Sequence, residues 1–294
     1  MSFYRIITDT SANLPTAYLR SHNVDLIPFC FIVNGKENFD LDHDSFESSA
    51  FFDLMRSGAK VTTSQITPAV YENFFTPFLE AGEDLLFIAM SSGISGSFAS
   101  AKRAEASLKE KFPDRRIRMV DTLGASLGEG LLVMRAVEYR EEGVPLDDAA
   151  DRLDEEKKRM FQVFTVDDLK YLSKTGRLWN ATAVVGNVLH IKPILKGNEE
   201  GRIVTCGKTV GRRRALAALA DRYDEYVVSP ETQKVGIAHA DCLEDAEELA
   251  AMLRRKNPPK EILTVMYEPV TGSHVGPGTV ALFFLGDENV RSKK

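Results

Sequence analysis

The residues Ser91-Ser92-Gly93-Ile94-Ser95-Gly96-Ser97 stand between an apolar run, Leu85 to Met90, and a helical pattern that starts at Ser97. Small residues let a ligand approach the backbone. A strand-to-helix turn also aims free N–H groups and the positive end of the helix dipole outward, which suits a carboxylate or a phosphate. Ser95 adds a hydroxyl. The plainer alternative is a tight turn with serine caps, for which one cap residue is enough. Nucleophilic chemistry fits less well: a nucleophile elbow needs G-x-S-x-G, and Gly93-Ile94-Ser95-Gly96-Ser97 ends in serine. A hydrolase would also need a base beside Ser95, which sequence alone does not place.

A second polar cluster, Val61-Thr62-Thr63-Ser64-Gln65, precedes a helix that begins at Pro68, so its hydroxyls again stand by a helix N-terminus, or simply cap it. A third, Val270 to Gly278, embeds His274 among glycines ahead of a final strand. Little bulk around the ring suits an imidazole that faces a site. His22, His43, His190 and His239 show no metal-ligand spacing, so no metal site is expected.

Nucleotide signatures fail. Gly207-Lys208-Thr209 imitates the end of a phosphate loop, but Arg202 occupies the place of the required first glycine. Gly124, Gly128 and Gly130 reverse the spacing of a dinucleotide fingerprint and point to close helix packing instead. Asp9 and Asp121 end strands and are read as caps. Arg212-Arg213-Arg214 opens a helix, where the macrodipole disfavours positive charge. With Arg202 and Lys208 the triplet is expected to form an exposed basic patch for an acidic partner or a phosphate.

The elements that must carry these groups alternate as in α/β proteins. The first part reads as strand (Tyr4 to Thr8), helix (Leu14 to Ser21), strand (Val24 to Val33), helices from Ser45 and Pro68, strand (Leu85 to Met90), helix from Ser97, strand (Ile117 to Asp121) and helix from Ser126. A charged helix, Leu146 to Met160, leads to a second part. There a strand (Phe161 to Thr165), helices around Asp167 to Lys174 and Ala181 to His190, and a hairpin about GNEEG precede alternating strands and helices. The expected architecture is two α/β domains, residues 1–160 with a mostly parallel sheet covered on both faces and residues 161–294 of α+β type. A length of 294 residues agrees with two domains. A net charge of −6 and a pI near 5.5 disfavour a dedicated nucleic-acid binder. No apolar stretch approaches the roughly 18 residues of a membrane span, and the N-terminus lacks a signal-peptide pattern, so a cytoplasmic location is expected. Cys30, Cys206 and Cys242 have no paired spacing and read as inert thiols.

Taken in order, Thr8-Asp9-Thr10-Ser11 with Leu14, Thr63-Ser64-Gln65, Ser91 to Ser97, Val120-Asp121-Thr122, Asp167-Asp168-Leu169 with Leu172, Gly176-Arg177, Ile191 to Leu195 and Gly272 to Gly278 resemble the DegV family of bacterial fatty-acid-binding proteins. That family includes the acyl-carrying subunit of fatty acid kinase. The resemblance implies that two α/β domains clasp one long-chain fatty acid, such as palmitate, with the tail buried and the carboxylate held in the cleft between them. It assigns the carboxylate to the hydroxyls of Thr63 and Ser95, with Arg177 and His274 in the surrounding network. It further implies a non-catalytic chain without a cofactor, serving a separate ATP-dependent kinase subunit that makes the acyl phosphate, with Arg202, Arg212, Arg213 and Arg214 as partner-binding candidates. Two departures stand out: Val210 occupies a place where the family often has arginine, and His190 replaces a more usual asparagine or lysine. The rival readings are an acyl hydrolase or transferase using Ser95 with His274 as base, and a lipid carrier or sensor without a kinase.

Overall fold

Apolar, β-rich runs broken by turn formers set the framework. The computed structural model describes residues 4–179 and 191–293. In the N-terminal half the strands are β1 (Tyr4–Asp9), β2 (Val24–Ile27), β3 (Cys30–Val33), β4 (Lys36–Phe39), β5 (Val61–Ser64), β6 (Asp84–Ala89) and β7 (Ile117–Asp121). The helices are α1 (Thr16–Ser21), α2 (Ser48–Arg56), α3 (Pro68–Glu80), α4 (Ser97–Lys111), α5 (Leu127–Glu141) and α6 (Leu146–Arg159). Strands β2, β1, β6 and β7 form an all-parallel sheet in that order. Its central strand is buried from Leu85 to Ala89, as a strand covered on both faces must be. The helices pack as the pairs α3 with α4 and α5 with α6.

Val24 to Val33, expected as one strand, is two. Pro28 interrupts it, and the chain leaves β2 in the parallel sheet to start β3 in a separate antiparallel sheet of order β4-β3-β5. Strand β4 was not expected from its polar sequence. Asn34 and Gly35, with φ of 51° and 86°, make the two-residue turn that folds Lys36 back beside Val33. Val61 to Gln65, expected only as a polar cluster before a helix, supplies β5, which pairs with β3 so that Thr63 stands opposite Phe31.

The C-terminal half contains β8 (Met160–Thr165), α7 (Lys170–Lys174), β9 (Leu178–Trp179), β10 (Ile191–Gly197), β11 (Ile203–Val210), α8 (Arg212–Tyr226), β12 (Lys234–His239), α9 (Leu243–Lys256), β13 (Glu261–Met266), α10 (Pro269–Val275) and β14 (Val280–Leu285). Seven of these strands form one mixed sheet, β13-β12-β14-β8-β10-β11-β9. The chain is a mixed α/β fold. The expected helix at Ala181 to His190 lies outside the described residues. One correction concerns the glycine-rich stretch around His274. It is helical through Val275, because Glu268 accepts hydrogen bonds from the N–H groups of Val270 and Thr271 and Pro269 sits at the first helical position. One apolar cluster runs from the parallel sheet into Phe164, Leu195, Tyr267 and Phe283, and a second, around Phe161, Tyr223 and Phe284, is wholly C-terminal.

Candidate functional site

A cavity enclosing about 1060 Å³, part of it open to solvent, lies where the ends of β5, β6 and β7 meet α10 and the inner face of the seven-stranded sheet. Thr63, Ser95, Arg177 and His274 all line it. Apolar side chains such as Phe29, Met90, Leu123, Phe164, Leu172 and Phe283 make much of the remaining wall.

The hydroxyls of Thr63 and Ser95 are brought into one wall by backbone contacts. Ser97, the first residue of α4, accepts a hydrogen bond from Ile66 N at 3.1 Å, which ties the segment after β5 to the segment before α4. Gly96 lets the Gln65 side chain lie against it, since a Cβ there would stand 2.2 Å from Gln65 Oε1. Ser95 Oγ accepts from Ser97 N at 3.2 Å and donates to Ser97 Oγ at 3.1 Å. Thr63 Oγ1 lies 2.9 Å from His274 Nε2. The other imidazole nitrogen, Nδ1, is buried without a hydrogen-bond partner among the described residues. Burial, and then the nearby charge of Arg177, push the His274 pKa down to about 4, so the ring is neutral at pH 7. Arg177 follows Gly176, whose φ of 69° turns the chain at the end of α7, and its guanidinium donates to Thr175 O.

The small residues of the serine loop serve the neighbouring backbone. A Cβ on Gly93 would stand 2.4 Å from Glu200 O, and Ser91 Oγ donates to Gly201 O at 2.9 Å. The loop is therefore pressed onto the β10–β11 hairpin turn at this point. Asp9 caps the 3₁₀ turn at Thr10–Ala12, its Oδ1 accepting from Ser11 N, whereas Asp121 caps no helix: its Oδ1 accepts from Ser92 N and Leu123 N and so joins two loops.

The basic residues do not form one patch. Arg202 lies over the Trp179 ring at 4.1 Å and shares a shallow recess with Ser95 and Arg177. Arg212, Arg213 and Arg214 instead line a groove between α8 and α9. The expectation that all three stand free fails twice: Arg213, though exposed, pairs with Glu248 at 3.4 Å, and the half-buried Arg212 pairs with Asp245 at 2.8 Å and Asp167 at 3.5 Å. Those two carboxylates compensate a cation placed at the unfavourable end of a helix.

Sequence reading missed two features beside the cavity. Gly124-Ala125-Ser126-Leu127-Gly128 matches G-x-S-x-G, in the strand–turn–helix context between β7 and α5. Ser126 has φ 54° and ψ −141°, a strained conformation for a residue with a side chain, and it lines the cavity. Its hydroxyl accepts from Asn13 Nδ2 at 3.1 Å rather than facing an imidazole, and among the described residues no base is bonded to it that would activate it as a nucleophile. The second is a buried carboxyl group set, Asp9, Glu129 and Glu268, with no cation among the described residues paired to it by a hydrogen bond.

The DegV family model, described as an uncharacterised protein family, matches residues 4–287. A DegV domain-containing protein of Clostridium perfringens, CPE0026, is 36% identical over 287 residues, covering 98% of this chain and 99% of that protein. Among solved structures, a DegV family protein from Thermus thermophilus described by its fatty acid binding superposes with a TM-score of 0.87 at 27% identity, covering 97% of this chain and 99% of the other. A fatty-acid-binding DegV family protein from Streptococcus agalactiae, SAG1342, gives a TM-score of 0.84 at 28% identity over 97% and 99% of the two chains. Among the described residues no helix is long and apolar enough to cross a membrane. Match and superposition span nearly the whole length, and the chain belongs to the DegV family.

Proposed function

We propose that this chain is a cytoplasmic carrier that binds one long-chain fatty acid in the cavity and presents its carboxylate to a separate ATP-using kinase. The observation that carries the reading is a single apolar cavity with two hydroxyls, a neutral imidazole and a guanidinium gathered in its wall. A tail of about fifteen methylenes contributes roughly 12 kcal/mol gross at ~0.8 each, before ordering costs. The tail drives binding, and the polar group orients it. A carboxylate only accepts hydrogen bonds, so the single hydrogen of Thr63 is given to it, and His274 Nε2–H donates to Thr63 Oγ1. His274 thus aims the hydroxyl, and Arg177 supplies the opposite charge. The hydrolase alternative finds no support in this geometry, because His274 bonds Thr63 while Ser95 bonds Ser97.

Native mass spectrometry of freshly purified protein is expected to show an added mass of fatty-acid size that disappears on denaturation. His274→Ala and Arg177→Ala are each expected to weaken binding of the acid by about 1 to 3 kcal/mol, the range for hydrogen bonds to charged groups. Affinity for the uncharged methyl ester should change much less. Equal losses for acid and ester would place both residues in packing rather than in head-group recognition.

Kinase presentation is supported by the recess holding Arg177 and Arg202, which opens beside Ser95 and gives a partner a route to the head group. Arg213 and Arg214, exposed at the start of α8, are the residues of the triplet suited to docking an acidic surface. Replacing both with serine is expected to slow phosphorylation of bound fatty acid by a cognate kinase and to flatten its salt dependence, with lipid affinity unchanged. A mutant that loses the lipid yet couples normally would assign these arginines to the pocket. Indifference would favour a carrier or sensor without a kinase, consistent with Val210, an apolar residue 55% exposed on the same groove.

A further inference from the structure

We infer that Asn13 is a positioning residue for the head-group site, acting through α10 on His274; this rests on the fatty-acid reading of the cavity. Asn13 ends a 3₁₀ turn at Thr10–Ala12, buried and left-handed with φ 56°, a conformation that asparagine adopts more readily than most residues. Its Oδ1 accepts from Glu268 N at 2.9 Å, and its Nδ2 donates to Ser126 Oγ at 3.1 Å. A backbone N–H only donates, so the orientation of the amide is determined by Glu268.

Glu268 is the residue from which α10 starts, and its own carboxylate is spent on capping that helix through Val270 N and Thr271 N. The Asn13 amide therefore ties the root of α10 to the N-terminal half. The base it reaches from is firm. A Cβ on Gly130 would stand 2.4 Å from Ala12 O, so α5 presses directly on the 3₁₀ turn, and Ser126 is held in its strained conformation at the start of α5. On the other side of α10, Phe52 of α2 lies where a Cβ on Gly272 would be 2.9 Å away. A seven-residue helix held between these surfaces carries His274 in its last turn, with Nε2 against Thr63. Releasing the root lets the helix shift along the Phe52 contact, and a shift of well under an ångström degrades a hydrogen bond between two side chains.

The test is a double-mutant cycle that reads affinity for a long-chain fatty acid and for its methyl ester. Asn13→Ala is expected to lower affinity for the acid about tenfold and to leave the ester nearly unchanged, whereas in a His274→Ala background the same substitution should change neither. Asn13→Asp, which keeps an acceptor for Glu268 N and tolerates the left-handed backbone, should restore most of the acid preference when measured near pH 6, and it serves if the alanine variant does not fold. Nitrogen NMR of the imidazole should show the Nε2–H tautomer in the parent and a mixture in Asn13→Ala. Equal losses for acid and ester, or a full Asn13→Ala effect in the His274→Ala background, would overturn the inference and make Asn13 a structural residue. If His274→Ala itself leaves the ratio of acid to ester affinity unchanged, the head-group reading fails first, and the two failures are told apart.

Discussion

Replacing Arg291 with methionine is expected to destabilise the folded chain by about 3 kcal/mol, against a total of roughly 5 to 15 for a typical protein. Arg291 is 2% exposed near the C-terminus, yet its guanidinium reaches into both halves of the molecule. It donates to Leu123 O at 2.6 Å, Met160 O at 2.9 Å and Asn198 O at 2.8 and 3.0 Å. These carbonyls belong to the cavity wall after β7, the start of β8 and the turn after β10. Methionine keeps much of the volume and removes every donor. Leu123 O would retain the hydrogen bond from Gln162 Nε2 and Asn198 O that from Gly201 N, whereas Met160 O would lose the guanidinium's bond. Each buried acceptor left unpaired costs about 1 to 3 kcal/mol. Part of that loss is offset by relief of a buried charge, since burial pulls the Arg291 pKa down to about 10. Arg291→Lys should recover only part of the loss, because an ammonium lacks the planar fork that spans three carbonyls. Urea unfolding at pH 7 checks both variants. A change below about 0.5 kcal/mol for methionine would show that the clamp adds nothing beyond its packing.

How much of this was legible follows from the range of the interactions involved. The parallel sheet and its helices were readable because apolar periodicity and caps are local. The limits of β7, Ile117–Asp121, coincide with those read from the sequence, and α3 and α4 start at Pro68 and Ser97 as expected. Strand β4 was missed because its residues are polar and its pairing with β3 is made by the Asn34–Gly35 turn, a signal present in the sequence and not used. The helix carrying His274 was not read from the sequence because its glycines outweighed Glu268 and Pro269, which are the start signal. Thr63, Ser95, Arg177 and His274 could be named from a resemblance, but their meeting in one cavity depends on contacts over long sequence separations. Thr63 and His274, for example, are 211 residues apart. Arg202 and the Arg212 triplet looked contiguous in sequence and diverge because β11 carries the chain between them away from the cavity. Asp9 was read as a cap, which it is, but its pairing with Glu129 through Ser11 has no local signature.

That pairing gives the second large effect: stability should be greatest near pH 5 and fall substantially by pH 8. Ser11 Oγ lies 2.5 Å from Asp9 Oδ1 and 2.6 Å from Glu129 Oε2. A hydroxyl has one hydrogen, so one of these two short contacts requires a proton held on a carboxyl. Thr8 Oγ1 reaches both Ile88 O at 3.0 Å and Glu129 Oε1 at 2.9 Å, and the same count applies there. A proton on Glu129 satisfies either site. Burial is the leading cause of the shifts: it raises Asp9 to about 6 and Glu268 to about 7, and it raises Glu129 well above the usual range, where the charge of Asp9 adds to it. A carboxyl whose folded pKa exceeds its unfolded pKa favours the folded state most at low pH, and that advantage is lost as pH rises from about 4 through the folded value. For Asp9 and Glu268 the loss is about 3 kcal/mol each once both states would otherwise be ionised. Carboxylates with lowered pKa, such as Asp147 beside Arg118 and Asp241 beside Arg56, act in the opposite sense only below about pH 4. His274, held neutral by burial with its pKa pushed down to about 4, also acts in the opposite sense between about pH 4 and 6.5 and offsets part of the fall. Glu129→Gln imitates the protonated acid, supplying a permanent donor toward Ser11 or Thr8. It should leave stability near pH 5 little changed and raise it at pH 8, flattening the profile. Urea titrations of both proteins at the two pH values decide it, and a Glu129→Gln profile that runs parallel to the parent's between pH 5 and 8 would mean that Glu129 remains ionised in the folded chain.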